Sequence, residues 1–549
     1  MTPEHLVIAP ILIPFFAGAI MLFYEDRQRR LKTTISVLSA AALLVTAVVL
    51  LIASEGSRAT GGNDVGVYLL GNWPPPFAIT LVLDRLSALM LLMVACLALP
   101  VISYAGAGWE KQGRHFHSML QFLLMGLNGA FLTGDLFNLF VFFEVLLAAS
   151  YGLVLHGSGP QRVKAGLHYI AVNLVASLFF LIGVSLIYGV TGTLNMADLG
   201  TKIPALSEPD RAAVLAASAI LGVVFLVKAG MWPLAFWLPA AYTAAGAPVG
   251  AIFAIMTKVG LYVVLRLATL LYGWESAVAP GFGAGVMILG GMATLVYGIL
   301  GTLAAQGLAR VASHAVVISA GTILTSFGIS ALAGPGMITG ALYYMLGSTL
   351  AAAALFLLAE LMERDQGSIA ALLAVTSAAY GFGDEDPEDE PDDGGLVVPG
   401  AQTVLALAFA VVTLLLAGLP PFAGFLGKVA LISEALGPKD RPVPMVIWVF
   451  VGLLLLSGLA SLIALMRIGI HTFWTVDEES RFRLRALEIA PVLALIGLAL
   501  LLTVEARPAL RYLGQTAEAL SRPSVYISAV LQAPQSRGIL VQPEGEGAP

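Results

Sequence analysis

Cysteine is nearly absent. Cys96 is the single one in 549 residues, which excludes a disulfide framework and a thiolate metal centre. Charge is scarce too: Asp, Glu, Lys and Arg make up 11% of the chain, less than half the roughly one-quarter share of a soluble protein. No phosphate-binding Gly-rich loop, metal-ligand cluster, haem motif or quinone site is found, so no cofactor and no metal are expected. No polar stretch is large enough for a separate catalytic domain, and nothing suggests a nucleic-acid partner. A basic segment before the first apolar run, Val7 to Phe23, is also missing, so that run reads as a first span and not as a cleavable signal peptide.

What the chain has is apolar length. Hydrophobic residues are 58% of it, and windows of about 20 apolar residues, enough to cross a bilayer, recur with centres near residues 14, 43, 93, 125, 146, 177, 221, 260, 291, 321, 350, 415, 455 and 495. The expected fold class is therefore an all-α polytopic membrane protein with about 14 transmembrane helices. Basic residues collect after alternate spans: Arg27, Arg29, Arg30 and Lys32; Lys111 and Arg114; Arg162 and Lys164; Arg467, Arg481, Arg483 and Arg485. By the positive-inside rule that side is cytoplasmic, which puts both termini outside. The net charge of -6 traces to an acidic block, Asp384 to Asp393, read as a solvated cytoplasmic loop within 380–400. The segment after Arg507, punctuated by proline and without clear periodicity, reads as an external tail.

Against this background four charged residues stand inside spans: Glu144, Lys228, Lys258 and Lys428. Each costs about 2.5–3.5 kcal/mol at the bilayer centre, on the order of 10 kcal/mol together, unless the protein solvates or pairs it. Glu144 is roughly 12 Å into its helix and needs a cation, for which Lys228 is the natural partner. Lys258 sits mid-span with no carboxylate of its own. A buried amine lacking a counter-charge can exchange its proton under mild conditions, so the lysines are candidate proton carriers. His314, at the start of span ten, is a candidate relay, since an unperturbed imidazole titrates at about pH 6.5. His115, His117 and His168 lie at span mouths, as structural groups or part of an uptake path.

Two spans are interrupted by proline beside a lysine: Lys228-Ala-Gly-Met-Trp-Pro233 through Pro239, and Leu419-Pro420-Pro421 through Lys428. Proline removes an amide donor and breaks a helix, and broken helices in membranes surround working sites. The spacing predicts discontinuous helices 7 and 12 in two five-helix repeats, the second inverted because five is odd. The expected division is 1–110, helices 1–3; 111–275, the first repeat (helices 4–8); 276–470, the second (helices 9–13); and 471–549, helix 14 with the external tail.

The run Thr133-Gly-Asp135-Leu-Phe-Asn138-Leu-Phe-Val-Phe-Phe-Glu144, the Lys228 to Pro239 segment, Ala247-Pro-Val-Gly through Lys258-Val-Gly, and Leu419 to Lys428 together resemble the D subunit of the multisubunit Mrp (Pha, Mnh) cation/proton antiporters. That family is similar in turn to the proton-translocating subunits of respiratory complex I and membrane-bound hydrogenases. The resemblance covers almost all the spans. It implies a transporter subunit and not an enzyme, with other Mrp subunits as partners and protons and Na+ or K+ as cargo. It also implies roles: Glu144 and Lys228 as an ion pair of one half-channel, Lys258 as the connecting lysine and Lys428 as the terminal lysine of the other half. One departure stands out, because Gly347 occupies a position where the family usually has histidine. A water file beside Gly347, Ser348 and Thr349 could replace it, or His314 could bridge the gap. A redox-driven pump subunit of the complex I or hydrogenase kind is the alternative reading.

Overall fold

A computed structural model describes residues 3–25, 27–56, 65–77, 79–273, 278–363, 400–437, 442–474 and 484–535. The acidic block and the basic pair Arg481 and Arg483 lie outside the described residues. Helices follow one another as α1 (Ala9–Leu22), α2 (Arg29–Gly56), α3 (Arg85–Ala105), α4 (Phe116–Leu132), α5 (Leu136–Val154), α6 (Pro160–Thr191), α7 (Met196–Ala205), α8 (Glu208–Ala229), α9 (Trp237–Ala244) and α10 (Ala247–Tyr272). They continue as α11 (Ala284–Ala304), α12 (Leu308–Ala333), α13 (Gly336–Glu363), α14 (Ala401–Ala417), α15 (Ala423–Leu436), α16 (Met445–Trp474), α17 (Ala486–Val504), α18 (Ala506–Leu520) and α19 (Pro523–Leu531). Every expected span centre falls within one of them. With α8 and α9 taken together, eleven helices among the described residues are long and apolar enough to cross a membrane, and α1, α4 and α14 are shorter apolar helices.

Burial divides these helices into two sets. The most apolar stretch of α10 is 94% buried, those of α12 and α13 89% and that of α3 78%, whereas α2, α6 and α17 bury 33–39%. A helix apolar on all sides belongs in a core or in lipid, and here α3, α4, α10, α12 and α13 form the core while α1, α2, α6, α11, α16 and α17 present large apolar side chains outward. Lys258 therefore sits on the most enclosed of the described helices.

Both expected interruptions are present, though glycine makes the break before proline is reached. α8 ends on Gly230 in the left-handed conformation (φ +74°), its amide bonded to the carbonyls of Leu226 and Val227. α14 ends in the same way on Gly418 (φ +71°), bonded to Leu414 O. Positive φ suits glycine at the residue after a helix, where the turn satisfies carbonyls left open, and proline a few residues on prevents resumption.

Two features depart from the sequence expectations. A short antiparallel hairpin pairs β1 (Gly66–Leu69) with β2 (Thr80–Leu83), in register Gly66 to Leu83 and Leu69 to Thr80, so the fold is not helical everywhere. The expected C-terminal tail is helical to Leu531: Tyr512, Leu513, Thr516, Ala517 and Leu520 form one buried face of α18, and the Tyr512 hydroxyl donates to Arg85 O at 2.8 Å. Two of the prolines that suggest an irregular tail stand in first turns, Pro508 as third residue of α18 and Pro523 as first of α19, where a missing amide hydrogen costs nothing.

Candidate proton path

Glu144 is held by α5, whose start is fixed by Asp135: one carboxylate oxygen accepts from the amides of Phe137 (2.8 Å) and Asn138 (2.9 Å). Burial pushes the Asp135 carboxyl above its ordinary value, and the two amides partly offset this. Two turns on, Glu144 is half-buried and accepts a 2.5 Å hydrogen bond from Ser177 Oγ on α6. Lys228, 5% exposed, is in the last turn of α8. Its ammonium stands 4.8 Å from the ring centre of Phe143, the neighbour of Glu144, and has no hydrogen-bonding partner among the described residues. The two charges interact through space, but the contact ion pair expected from the sequence is not formed: serine takes the carboxylate and a phenyl face the ammonium.

α10 crosses α8 at Gly260, where any Cβ would come within 2.7 Å of Ala229 N and 2.8 Å of Phe225 O. Gly260 is two residues past Lys258 and Ala229 follows Lys228, so this backbone contact sets the two lysines on abutting segments. Lys258, 1% exposed, donates to Ser319 Oγ on α12 at 2.9 Å. Ser319 in turn shares a 2.9 Å hydrogen bond with Ser348 Oγ on α13. One turn along the same pair of helices, Tyr344 of α13 lies beside Thr322 of α12.

Tyr344 also carries the line across α13. Gly427 of α15 lies against it, with a Cβ there only 3.1 Å from Tyr344 Cα, and the next residue is Lys428. Lys428, 5% exposed, reaches back over the break and donates to Ala417 O, the last carbonyl of α14, at 2.9 Å. Lys228 precedes its break and Lys428 follows its own, yet both ammonium groups belong to the carboxyl end of the first half-helix. That end bears the negative pole of the helix dipole, which favours a cation.

His314 is not on this line. It precedes Ser319 by five residues, about 140° around the helix, and its ring faces α11 over Gly301, 6.1 Å from the Tyr297 ring, with Nδ1 at 2.9 Å from Arg310 O. The structure thus brings Lys258 to Ser319 and Ser348 and leaves His314 apart. Ser177, Ser319, Thr322 and Tyr344 do not stand out in the sequence. Hydroxyls are frequent in apolar helices and mostly bond to their own preceding turn, as Thr322 does to Ile318 O (2.9 Å), so spacing alone does not reveal those that reach a neighbour.

Arg266 supplies the contrast. Eight residues after Lys258, it forms a two-pronged salt bridge with Asp84, at 2.5 and 2.8 Å. Burial would raise the Asp84 carboxyl, but the Arg266 charge and its hydrogen bonds outweigh burial and hold it below the ordinary carboxylate value. Arg266 is thus a buried charge provided with a counter-ion; among the described residues none of the three lysines has a carboxylate within salt-bridge distance.

The chain matches the family described as NADH:quinone oxidoreductase/Mrp antiporter, transmembrane region, over residues 133–457, which contains Glu144, Lys228, Lys258 and Lys428. It is 51% identical over 541 residues to the D subunit of a probable K+/H+ antiporter of Rhizobium meliloti, covering 97% of this chain and 98% of that protein. It is 34% identical to the D subunit of the Na+/H+ antiporter of Alkalihalophilus pseudofirmus, covering 96% and 100%. Among solved structures, a chain of the Mrp complex from Dietzia sp. superposes with a TM-score of 0.79 at 28% identity, covering 97% of this chain and all of that one. A polytopic helical chain with lysines aligned across its core, similar over nearly its whole length to these subunits, belongs to the NADH:quinone oxidoreductase/Mrp antiporter family and, within it, to the antiporter D subunits.

Proposed function

We propose that this chain is the proton-conducting subunit of a multisubunit antiporter exchanging protons for K+ or Na+, and that protons move laterally across its core. The observation that carries the reading is the line of buried amines on successive helices. The segment of α8 bearing Lys228 abuts that of α10 bearing Lys258, which is joined by Ser319 and Ser348 to α13, where Tyr344 meets the segment bearing Lys428. A proton arriving at one amine raises the cost of charge on the next, because like charges repel strongly in low dielectric. The gap between Lys228 and Glu144 lets the pair close and open as protons pass, with Ser177 holding the carboxylate when it is open. Buried polar atoms lacking partners among the described residues, here Lys228 Nζ, Tyr151 Oη and Trp237 Nε1, are ordinarily satisfied by water, which supports a hydrated half-channel on this side.

The coupled cation takes another route in this reading. Na+ and K+ prefer several oxygen ligands, and Glu144 is the one carboxylate read deep in a span, so a partner subunit carries the cation. Fourteen crossings, helices 4–8 and 9–13 as inverted repeats, both termini outside and residence in a bacterial cell membrane complete the proposal. The matched breaks at Gly230 and Gly418 and the basic residues at one set of helix ends support it.

The test expresses the gene with its operon neighbours in an antiporter-deficient bacterium and follows collapse of the proton gradient in everted vesicles on adding K+ or Na+. Lys228→Ala and Glu144→Ala are expected to abolish the collapse at normal protein level. Native exchange in both variants would contradict the proposal.

A further inference from the structure

Away from the lysine line, a cavity of about 340 Å³ opens where the α1–α2 connection meets the α3–α4 connection. Arg27, Arg29, Lys32, Lys111 and Arg114 line it against one carboxylate, Glu110. That carboxylate is engaged inward: Glu110 Oε2 accepts from Thr33 Oγ1 at 2.5 Å and stands 2.8 Å from His117 Nε2. His117, also lining the cavity, is 3% exposed, and its Nδ1 has no hydrogen-bonding partner among the described residues. Among the described residues the cavity wall thus carries five basic side chains to one carboxylate, with a buried imidazole nitrogen beside them.

We propose that this cavity binds the phosphate of an anionic glycerophospholipid. Guanidinium groups match phosphate oxygens in forked pairs, and clustered Arg and Lys beside a membrane-spanning helix draw anionic headgroups. A lipid fits better than a free anion because an exposed apolar helix runs along the chain into the cavity wall at Arg27. The helix leading to it, α1, exposes Phe16 and Ile20, and Phe23 just beyond its end is 90% exposed. Acyl chains lie along that ridge while the phosphate enters among Arg27, Arg29 and Arg114. The lipid ties the α1–α2 pair to the α3–α4 connection.

The experiment purifies the intact antiporter complex in mild detergent and measures, by native mass spectrometry and lipid extraction, retention of phosphatidylglycerol, cardiolipin and phosphatidylcholine after exchange into mixed nanodiscs. Native complex is expected to retain phosphatidylglycerol or cardiolipin over phosphatidylcholine. Arg27→Gln/Arg114→Gln should lower that retention at least fivefold, Arg27→Lys/Arg114→Lys should keep most of it, and Lys202→Gln on α7, which lines no part of the cavity, should leave it unchanged. Inorganic phosphate at millimolar concentration should not displace the lipid. Equal retention of phosphatidylcholine, unchanged retention in the double Gln variant, or displacement by inorganic phosphate would each overturn the proposal. Retention is read without transport, so its failure is separate from any failure of the proton path.

Discussion

Lys428 donates its hydrogen bond across the helix break to Ala417, the last residue of the preceding half-helix, at 2.9 Å. The broken helix thereby supplies a buried ammonium with a carbonyl ligand instead of a counter-charge, one with which an amine can exchange partners as it gains or loses a proton. Gly458 on α16 makes the arrangement possible: a Cβ there would overlap both Lys428 Nζ and Ala417 O.

Gly458→Ala should therefore reduce exchange at least tenfold with the complex still assembled, because the methyl group displaces the ammonium. Gly452→Ala on the same helix, where a Cβ meets nothing within 4 Å, should behave as native. Vesicle exchange rates normalised to subunit content check both.

Ser319 bridges Lys258 and Ser348, so Ser319→Ala should slow exchange roughly tenfold, about 1.4 kcal/mol at the barrier, while Ser319→Thr retains a hydroxyl and most of the rate. Equal rates in the two variants would show that water, not this hydroxyl, joins Lys258 to α13.

At position 347 there is room for a Cβ. The nearest atom to a Cβ there is Ala423 Cβ at 3.5 Å, ordinary contact distance. Gly347→His should fold, and in a Ser348→Ala background should recover exchange lost with the serine hydroxyl. Recovery would be measured as the ratio of double to single variant.

Acid should weaken the two buried carboxylate clusters. Asp84, held low by Arg266 after burial is overcome, and Glu110, held low against burial by hydrogen bonds from His117 and Thr33, both have folded values below their unfolded ones. Their stabilisation is complete above the unfolded values, about pH 4–4.5, and is lost as pH falls through the folded values. Asp84→Asn should abolish the Asp84 part and cost about 3 kcal/mol by leaving Arg266 buried and unpaired. Thermal unfolding of the complex from pH 7 to pH 3 would show the variant with a shallower acid decline.

Helix existence is legible in the sequence because twenty-residue apolar windows have few alternatives, and the lysines are legible because charge inside such windows is costly. The tail is misleading because α18 carries its apolar face on only five positions among polar ones, and because first-turn prolines look the same in sequence as helix-breaking ones. A Glu144 to Lys228 contact follows from charge alone, which sees neither the Ser177 hydroxyl nor the Phe143 ring that intervene. His314 is attractive in sequence as the titratable group nearest the gap at Gly347, but helix phase turns it toward α11. Ser319 and Ser348 come together only through the crossing of α12 and α13, and side-chain types along one helix do not encode that crossing.

The central claim is that protons pass through Lys258, the amine on the most enclosed of the described helices. The purified complex in proteoliposomes, with an internal pH dye and an imposed K+ or Na+ gradient, gives the most direct test when native protein is compared with Lys258→Ala and Lys258→Arg. Cation-driven proton flux is expected in the native complex and none in Lys258→Ala or in Lys258→Arg, whose guanidinium does not release its proton. Flux at the native rate in Lys258→Arg would contradict it.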